Sequence, residues 1–177
     1  MTFEATKIEL SSSLQTITDL LPTLTDSDWS RPQNGKWTVG QEFEHLRVST
    51  QGTAFLLSPM NRTAWRANER ESRSYDTIVA EYKAALAARG PITNNAFGPT
   101  ADSDHLTVAK QAERWQQVVE QLRSVVASLP ETELDAYTVW KHPLLGPLTG
   151  REMLYFTAYH ARHHHASLTR KQMDVHL

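Results

Sequence analysis

The stretch TGREMLYFTAYHARHHH, residues 149–165, carries both the clearest helix start in the sequence and its densest group of histidines. Thr149 as N-cap and Glu152 three residues later form a capping box, the sequence signature of a helix N-terminus. His160 and His164 then stand at i and i+4, on one face of that helix, with Cβ atoms about 6 Å apart. Two imidazoles at this spacing can reach one metal ion at ligand distances of about 2 Å.

The apolar residues elsewhere follow a helical period and predict three more long helices. The four helices run from about Phe3 to Leu21, from Thr38 to Pro59, from about Ser103 to Leu129 and from Gly150 to about Arg170. A shorter helix, ended by Gly90-Pro91, is predicted from about Tyr75 to Arg89, and the stretch 92–104 is predicted to be loop. No segment shows a convincing strand alternation. The sequence therefore predicts an all-α fold: one domain, residues 1–177, built as a four-helix bundle with an extra short helix between helices two and three.

Composition excludes several classes of function. The chain has 177 residues, a formal charge of −2 and no cysteine. The weak negative charge gives no attraction for phosphate backbones, so we expect no nucleic-acid partner. The first residues lack the basic start and apolar core of a signal peptide, and no stretch approaches the roughly 20 apolar residues of a membrane span. We expect a cytoplasmic protein with no membrane partner.

A metal site needs a third ligand beside the histidine pair, and His45 is the candidate. It lies seven residues into helix two, roughly 10 Å from the helix start. The midpoint of His160 and His164 lies roughly 12 Å before the end of helix four. If these helices are antiparallel neighbours, all three imidazoles lie at a similar depth. His142 precedes helix four, and the same arithmetic places it at the opposite pole, about 20 to 25 Å away.

Three neutral imidazoles on one Zn²⁺, Ni²⁺ or Fe²⁺ leave at least one coordination position open, which is typical of catalytic sites. Such an ion lowers the pKa of a bound water or thiol, or polarises a carbonyl. Without cysteine, any thiol must come from a substrate or a cofactor. Trp37, Trp29 and Phe97 are candidates for an apolar wall above the ion. No general base is identifiable from the sequence, so the catalytic residues stay unknown.

Several motifs resemble the DinB/YfiT-like superfamily. These are Lys36–Leu46 (KWTVGQEFEHL), His142–Thr149 (HPLLGPLT), Tyr159-His160 and His163-His164. The resemblance covers most of the chain from Trp37 onward and is weakest between Asn61 and Asp104. It implies a four-helix bundle with up-down-down-up topology and one divalent metal ion bound by three histidines.

Carried over residue by residue, the metal ligands implied by the resemblance are His45, His160 and His164. Members of the superfamily include thiol-dependent S-transferases and isomerases, and others are described as metal-dependent hydrolases. The resemblance thus implies an enzyme that activates water or an exogenous low-molecular-weight thiol toward a small-molecule substrate. The alternative is a non-enzymatic bundle that binds metal or ligand and acts as an interaction module. The family often forms dimers, so a homodimer stays open.

Other polar residues near these motifs have more than one interpretation. Glu42 forms Glu-x-x-His with His45 and is interpreted first as a solvated glutamate. The alternatives are a carboxylate that orients an imidazole and one ligand of a di-metal site. His163 is a substitute ligand at i+3 from His160, although with His165 it is better explained as a solvated face.

The remaining charged and imidazole groups are expected to be structural or exposed. This applies to His142 and His105. Arg162, Arg170 and Lys171 are predicted to lie on the exposed side of helix four, where they complement the negative C-terminal end of its dipole.

Overall fold

The computed structural model of the chain describes residues 1–33, 35–89, 99–100, 103 and 105–173, and over these ranges the protein is mostly helical. Its α-helices are α1 (Phe3–Leu20), α2 (Asp26–Ser30), α3 (Val39–Leu57), α4 (Tyr75–Arg89), α5 (Val108–Ala127) and α6 (Gly150–Met173). Short 3₁₀ turns follow α1 at Leu21–Thr23, α3 at Pro59–Ala64 and α5 at Glu131–Glu133. The predicted stop at Gly90-Pro91 and nearly all of the predicted loop 92–104 lie outside the described residues.

The helix starts follow the capping residues that the sequence offers. Thr38 Oγ1 accepts from the Gln41 amide and the Gln41 side chain accepts from the Thr38 amide, both at 3.1 Å. At α6 the Thr149 amide donates to Glu152 Oε2 at 3.0 Å, and Thr149 Oγ1 accepts from the Glu152 amide at 3.3 Å. Both capping boxes are confirmed. Helix α5 begins later than predicted, because Thr107 is its N-cap.

A small antiparallel sheet corrects the all-α prediction. It consists of β1 (Arg66–Ala67), β2 (Tyr137–His142) and β3 (Gly146–Thr149), in the order β1-β2-β3. Strand β2 is rich in β-branched and aromatic residues, as strands usually are. Its register with β3 shifts between Thr138 and Trp140, and a shift of this kind interrupts the alternation by which a strand is recognised. The hairpin turn ends at Gly146, whose φ of +68° favours glycine.

The four long helices pack pairwise around one core. Helix α6 lies against α1 and α3, α5 lies against α3 and α1, and α4 lies along α6. Phe43 of α3 is fully buried, with its ring 5.2 Å from Trp29 and 5.7 Å from Trp115. Because α3 packs against α6, side chains on the facing sides of these two helices meet in the interior.

A buried ion cluster attaches the segment before α4 to the start of α6. Glu152 is fully buried, and its carboxylate accepts from Arg70 Nη1 at 2.6 Å and from Arg73 Nε at 3.1 Å. Burial opposes ionisation of Glu152, but the hydrogen bonds from both arginines hold its pKa at about 2. The carboxylate is therefore charged at neutral pH and holds the connection in place, which sets α4 along α6. Within the described ranges, every helix is too short or too polar to span a bilayer.

Candidate metal centre

Three imidazoles meet where α3 packs on α6. His45 Nε2 lies 3.3 Å from His160 Nε2, and His164 Nε2 lies 3.0 Å from the same atom. One ligand atom from each histidine lies within 4.8 Å of the other two. The structure thus brings together the three residues selected from the sequence, and their Nε2 atoms face a common point.

The nitrogen separations fit a metal ion. Two nitrogens bound tetrahedrally at about 2.0–2.1 Å stand about 3.3 Å apart, close to both observed distances. His160 and His164 are buried, and His45 is half-buried. Burial first, and then the neighbouring imidazoles, hold the pKa of His160 well below its usual value. His160 is therefore neutral at pH 7 with a lone pair to share, and the donor set suits a divalent cation.

Glu42 orients one of these imidazoles, which corrects the prediction that it is a solvated glutamate. The residue is 5% exposed, and its Oε1 accepts from His164 Nδ1 at 2.8 Å. Its Oε2 accepts from Lys171 Nζ at 2.5 Å and from Ser167 Oγ at 3.1 Å. The face of α3 that carries Glu42 packs against α6 and is closed to solvent. Glu42 is not part of the cluster that could hold an ion, so the di-metal alternative gains no support.

The charge on Glu42 fixes the tautomer of His164. Burial opposes ionisation, but the hydrogen bonds from His164 and Lys171, together with the ammonium charge of Lys171, hold the pKa of Glu42 at about 2. An ionised carboxylate beside Nδ1 keeps the imidazole proton on that nitrogen and leaves the lone pair on Nε2. Carboxylates play this part behind many metal-binding histidines, where they also raise the basicity of the ligand.

Lys171 does not lie on the exposed side of α6, contrary to the prediction. Its Nζ donates to Glu42 and, at 2.6 Å, to the backbone carbonyl of Trp37. Arg170 is exposed, and Arg162 pairs at the surface with Glu9, so for these two the prediction is confirmed. The end of α6 and the segment that precedes α3 are joined through the partly buried ammonium group of Lys171.

Aromatic rings surround the three histidines. The Trp37 ring lies 5.1 Å from the His45 ring, as the predicted apolar wall requires. Trp29 instead belongs to the core, where its Nε1 donates to the Ser103 carbonyl at 3.2 Å, and Phe97 lies outside the described residues. Phe156 stacks on His160, with centroids 5.0 Å apart and ring planes 22° apart.

Phe156 and Tyr82 are neighbours of the centre that the sequence did not reveal. Phe156 stands four residues before His160 on the same helix face, so the spacing that selected the histidines could have found it. Tyr82 comes from α4 and lies 6.3 Å from the His160 ring and 5.2 Å from Phe156. Only the packing of α4 on α6 brings it there, and no local signal shows that packing.

His142 lies near the centre, and its predicted place at the opposite pole is wrong. Its ring is 4.5 Å from Phe156 and 6.0 Å from Tyr82. The prediction took the residues before helix four to extend away from it along the axis. Strand β2 instead pairs antiparallel with β3, and His142 pairs with Gly146 at the turn of the hairpin. The hairpin therefore folds back and places His142 against the side of α6.

The other described histidines are not among the possible metal ligands. His163 is partly buried, with its ring 5.2 Å from that of His164, but it is not in the cluster that could hold an ion. His165 is partly buried and His105 is exposed. The expectation that His105 is exposed is confirmed.

A mostly helical fold that converges three imidazole nitrogens on one point, with a carboxylate behind one of them, defines a helical protein with a candidate mononuclear metal centre. The model of the DinB superfamily matches residues 9–168, and the chain belongs to that superfamily. The resemblance first noted in the motifs is thereby confirmed. No curated protein gives a match to the chain.

Proposed function

We propose that this chain is a single-domain, divalent-metal-dependent enzyme in which His45, His160 and His164 hold one ion. The convergence of three Nε2 atoms at 3.0 and 3.3 Å carries the proposal. Among the described residues, the cluster that could hold an ion comprises these three side chains, which leaves coordination positions for a reactant. Family membership and the pairwise packing of the long helices support a four-helix bundle with up-down-down-up topology.

The protein groups around the histidines have separate parts in this proposal. Glu42 holds the His164 proton on Nδ1 so that the Nε2 lone pair points into the centre. Trp37 and Phe156 cover the His45 and His160 rings and keep water away from their faces. A bound Zn²⁺, Ni²⁺ or Fe²⁺ would supply Lewis acidity that activates a water or a thiol at neutral pH.

The reaction we propose is hydrolysis of a small-molecule substrate or transfer of an exogenous low-molecular-weight thiol to it. Both use the same activated nucleophile, and the chain carries no cysteine of its own. We expect no nucleic-acid or membrane partner, a cytoplasmic location and, at most, a second copy of the chain as protein partner. The second candidate function is a metal- or ligand-binding module without turnover, since no side chain here is yet assigned as a general base.

Metal content is the first test. The protein, purified without a tag, should bind one equivalent of Zn²⁺ or Ni²⁺. His160→Ala should lose it, because the central nitrogen of the cluster is removed. His163→Ala is the matched control, since it deletes an imidazole from the same helix outside the cluster and should still bind one equivalent. Equal metal content in both variants would contradict the assignment.

Turnover is the second test. The metal-loaded protein is screened with ester and amide substrates, and separately with thiol cofactors and electrophiles. Turnover that disappears in His160→Ala and persists in His163→Ala would support the enzyme. Stoichiometric metal without turnover in either screen would favour the binding module.

A further inference from the structure

The three candidate ligands differ in their access to solvent. His160 and His164 are buried, at 3% and 7% exposure, the first stacked on Phe156 and the second against Glu42. His45 is half-buried, so it is the one of these three ligands that is most open to solvent. A substrate that binds to an ion at this centre therefore approaches it on the side of His45.

The indole of Trp37 lies on that side of the centre. It is half-buried, and its ring centre is 5.1 Å from the centre of the His45 ring, so the two rings are in direct contact. An ion bound about 2 Å from His45 Nε2 would thus lie within about 8 Å of the indole centre. Aromatic rings interact at centre-to-centre distances of about 4.5–7 Å. A flat group two or three bonds from the atom that binds the ion can therefore reach the indole.

The backbone on both sides of Trp37 is held by hydrogen bonds. The Trp37 carbonyl accepts from Lys171 Nζ at 2.6 Å, and the next residue, Thr38, is the N-cap of α3. Before the indole, the Lys36 amide donates to the Gln33 carbonyl at 3.0 Å. A surface that is already held in place loses little conformational entropy when a ligand binds to it. Trp37 therefore offers a partly exposed, preorganised apolar surface beside the centre.

We propose that Trp37 is a specificity-determining residue, which selects substrates with a flat, apolar group, such as an aryl ring, next to the group that binds the ion. The inference rests on the proposed metal centre, and it specifies the class of substrate. Packing against an indole favours a flat ring over a small alkyl group, because the ring adds contact area and an aromatic interaction. Glu42 and Lys171 are paired with each other and thus add no net charge beside the indole.

Two hydroxamates test this preference. Acetohydroxamate and benzohydroxamate bind a metal ion through the same pair of oxygen atoms, and they differ in carrying a methyl or a phenyl group. Both are titrated into protein saturated with Co²⁺, whose visible absorption reports ligand binding. The ratio of the two dissociation constants isolates the contact with the phenyl group, because a change at the ion affects both ligands alike.

We expect wild-type protein to bind benzohydroxamate about tenfold more tightly than acetohydroxamate. Trp37→Phe keeps a flat ring and should stay within about twofold of that ratio, whereas Trp37→Leu keeps only apolar bulk and should reduce the ratio to about twofold. The matched control is Tyr137→Leu, which removes a ring that contacts Trp65 at 6.0 Å rather than a candidate ligand. The control should keep the wild-type ratio. A ratio unchanged in Trp37→Leu, or lost to the same extent in Trp37→Phe, would overturn the inference.

Failure of the proposed function has a different signature. Wild-type protein that takes up no Co²⁺ removes the metal centre and this inference with it, whereas bound Co²⁺ with equal affinity for the two hydroxamates overturns this inference alone. If Trp37→Leu does not fold, as judged by thermal unfolding, NMR of the wild type decides. In Zn²⁺-loaded protein, the phenyl protons of benzohydroxamate should show nuclear Overhauser effects to the indole protons of Trp37. Such effects to other rings alone would contradict the assignment.

Discussion

The substitution Glu42→Gln removes one negative charge from behind the candidate metal centre and leaves the shape of the side chain nearly unchanged. Glu42 accepts from His164 Nδ1 at 2.8 Å on one oxygen and from Lys171 Nζ at 2.5 Å on the other. An amide has only one acceptor oxygen. If that oxygen faces His164, the NH₂ group faces the Lys171 ammonium, and if the amide is reversed, two N–H donors face each other at His164.

Either orientation weakens the hydrogen bonding that orients His164, and we expect the affinity for Zn²⁺ to fall about 10- to 100-fold. This corresponds to about 1.4–2.7 kcal/mol of binding free energy. The loss should lie within this range because the contact is buried and charged. Glu42 is 5% exposed, and solvent cannot replace the missing acceptor.

Affinity is measured by competition against a chromophoric Zn²⁺ chelator at neutral pH. The matched control is Glu9→Gln, which makes the same change in a carboxylate that also contacts α6, through Arg162 at 2.6 Å, but lies at the surface. The control should bind Zn²⁺ within about twofold of wild type. Glu42→Gln/Lys171→Met removes the ammonium group that has lost its carboxylate partner, and it should recover stability while the affinity for Zn²⁺ stays low. Wild-type affinity in Glu42→Gln would refute the orienting part assigned to Glu42.

Other predictions test the packing and the titration of the protein. Gly40→Ala should destabilise the fold by about 1–3 kcal/mol in urea unfolding, because its Cβ would lie 2.3 Å from Trp29 Nε1. In Gly52→Ala, a substitution in the same helix, the new Cβ meets nothing within 4 Å, and the fold should be stabilised by about 0.5–1 kcal/mol. A Gly40→Ala protein more stable than Gly52→Ala would be inconsistent with the Trp29 contact. The pKa of His142 is lowered to about 4, so its contribution to stability is complete above about pH 6.5 and is lost as the pH falls toward 4. Between about pH 6.5 and 5, the free energy of unfolding of the metal-free protein should thus fall by about 2 kcal/mol because of this residue. Denaturant unfolding at both pH values would measure this loss, which should be absent in His142→Asn. Zn²⁺ affinity should fall below about pH 6 as protons compete for the imidazoles, and an affinity unchanged down to about pH 4.5 would exclude histidine ligation.

The helices were predictable where the signal is local. A capping box is complete within four residues, which is why Thr38 and Thr149 locate the starts of α3 and α6 to the residue. The start of α5 was less certain, since Thr107 caps it through its own side chain without a reciprocal partner in the sequence. The sheet was missed because its longest strand has six residues and changes register within them.

The candidate site was predictable only in part, because local spacing selects only some of its residues. His160 and His164 are one helical turn apart, so their spacing alone selects them. His45 was placed by a comparison of depths along two helices, which needs no knowledge of how either helix is rotated about its axis. The environment of Glu42 and Lys171 depends on that rotation, and composition favours solvent for such charged residues.

Once the helices are packed, each polar group at this centre requires the next one as a hydrogen-bond partner. For His164 to offer its Nε2 lone pair, its proton must stay on Nδ1, and an ionised Glu42 at 2.8 Å keeps it there. A buried carboxylate stays ionised only with compensating donors, which Ser167 and the ammonium group of Lys171 supply. Lys171 also needs an acceptor for a further N–H, and the Trp37 carbonyl provides one in the segment whose indole covers His45. The need to keep the proton on His164 Nδ1 thus involves groups on the other side of the centre. Lys171, which the sequence alone places in solvent, is one of the residues that hold the ligand His164 in place.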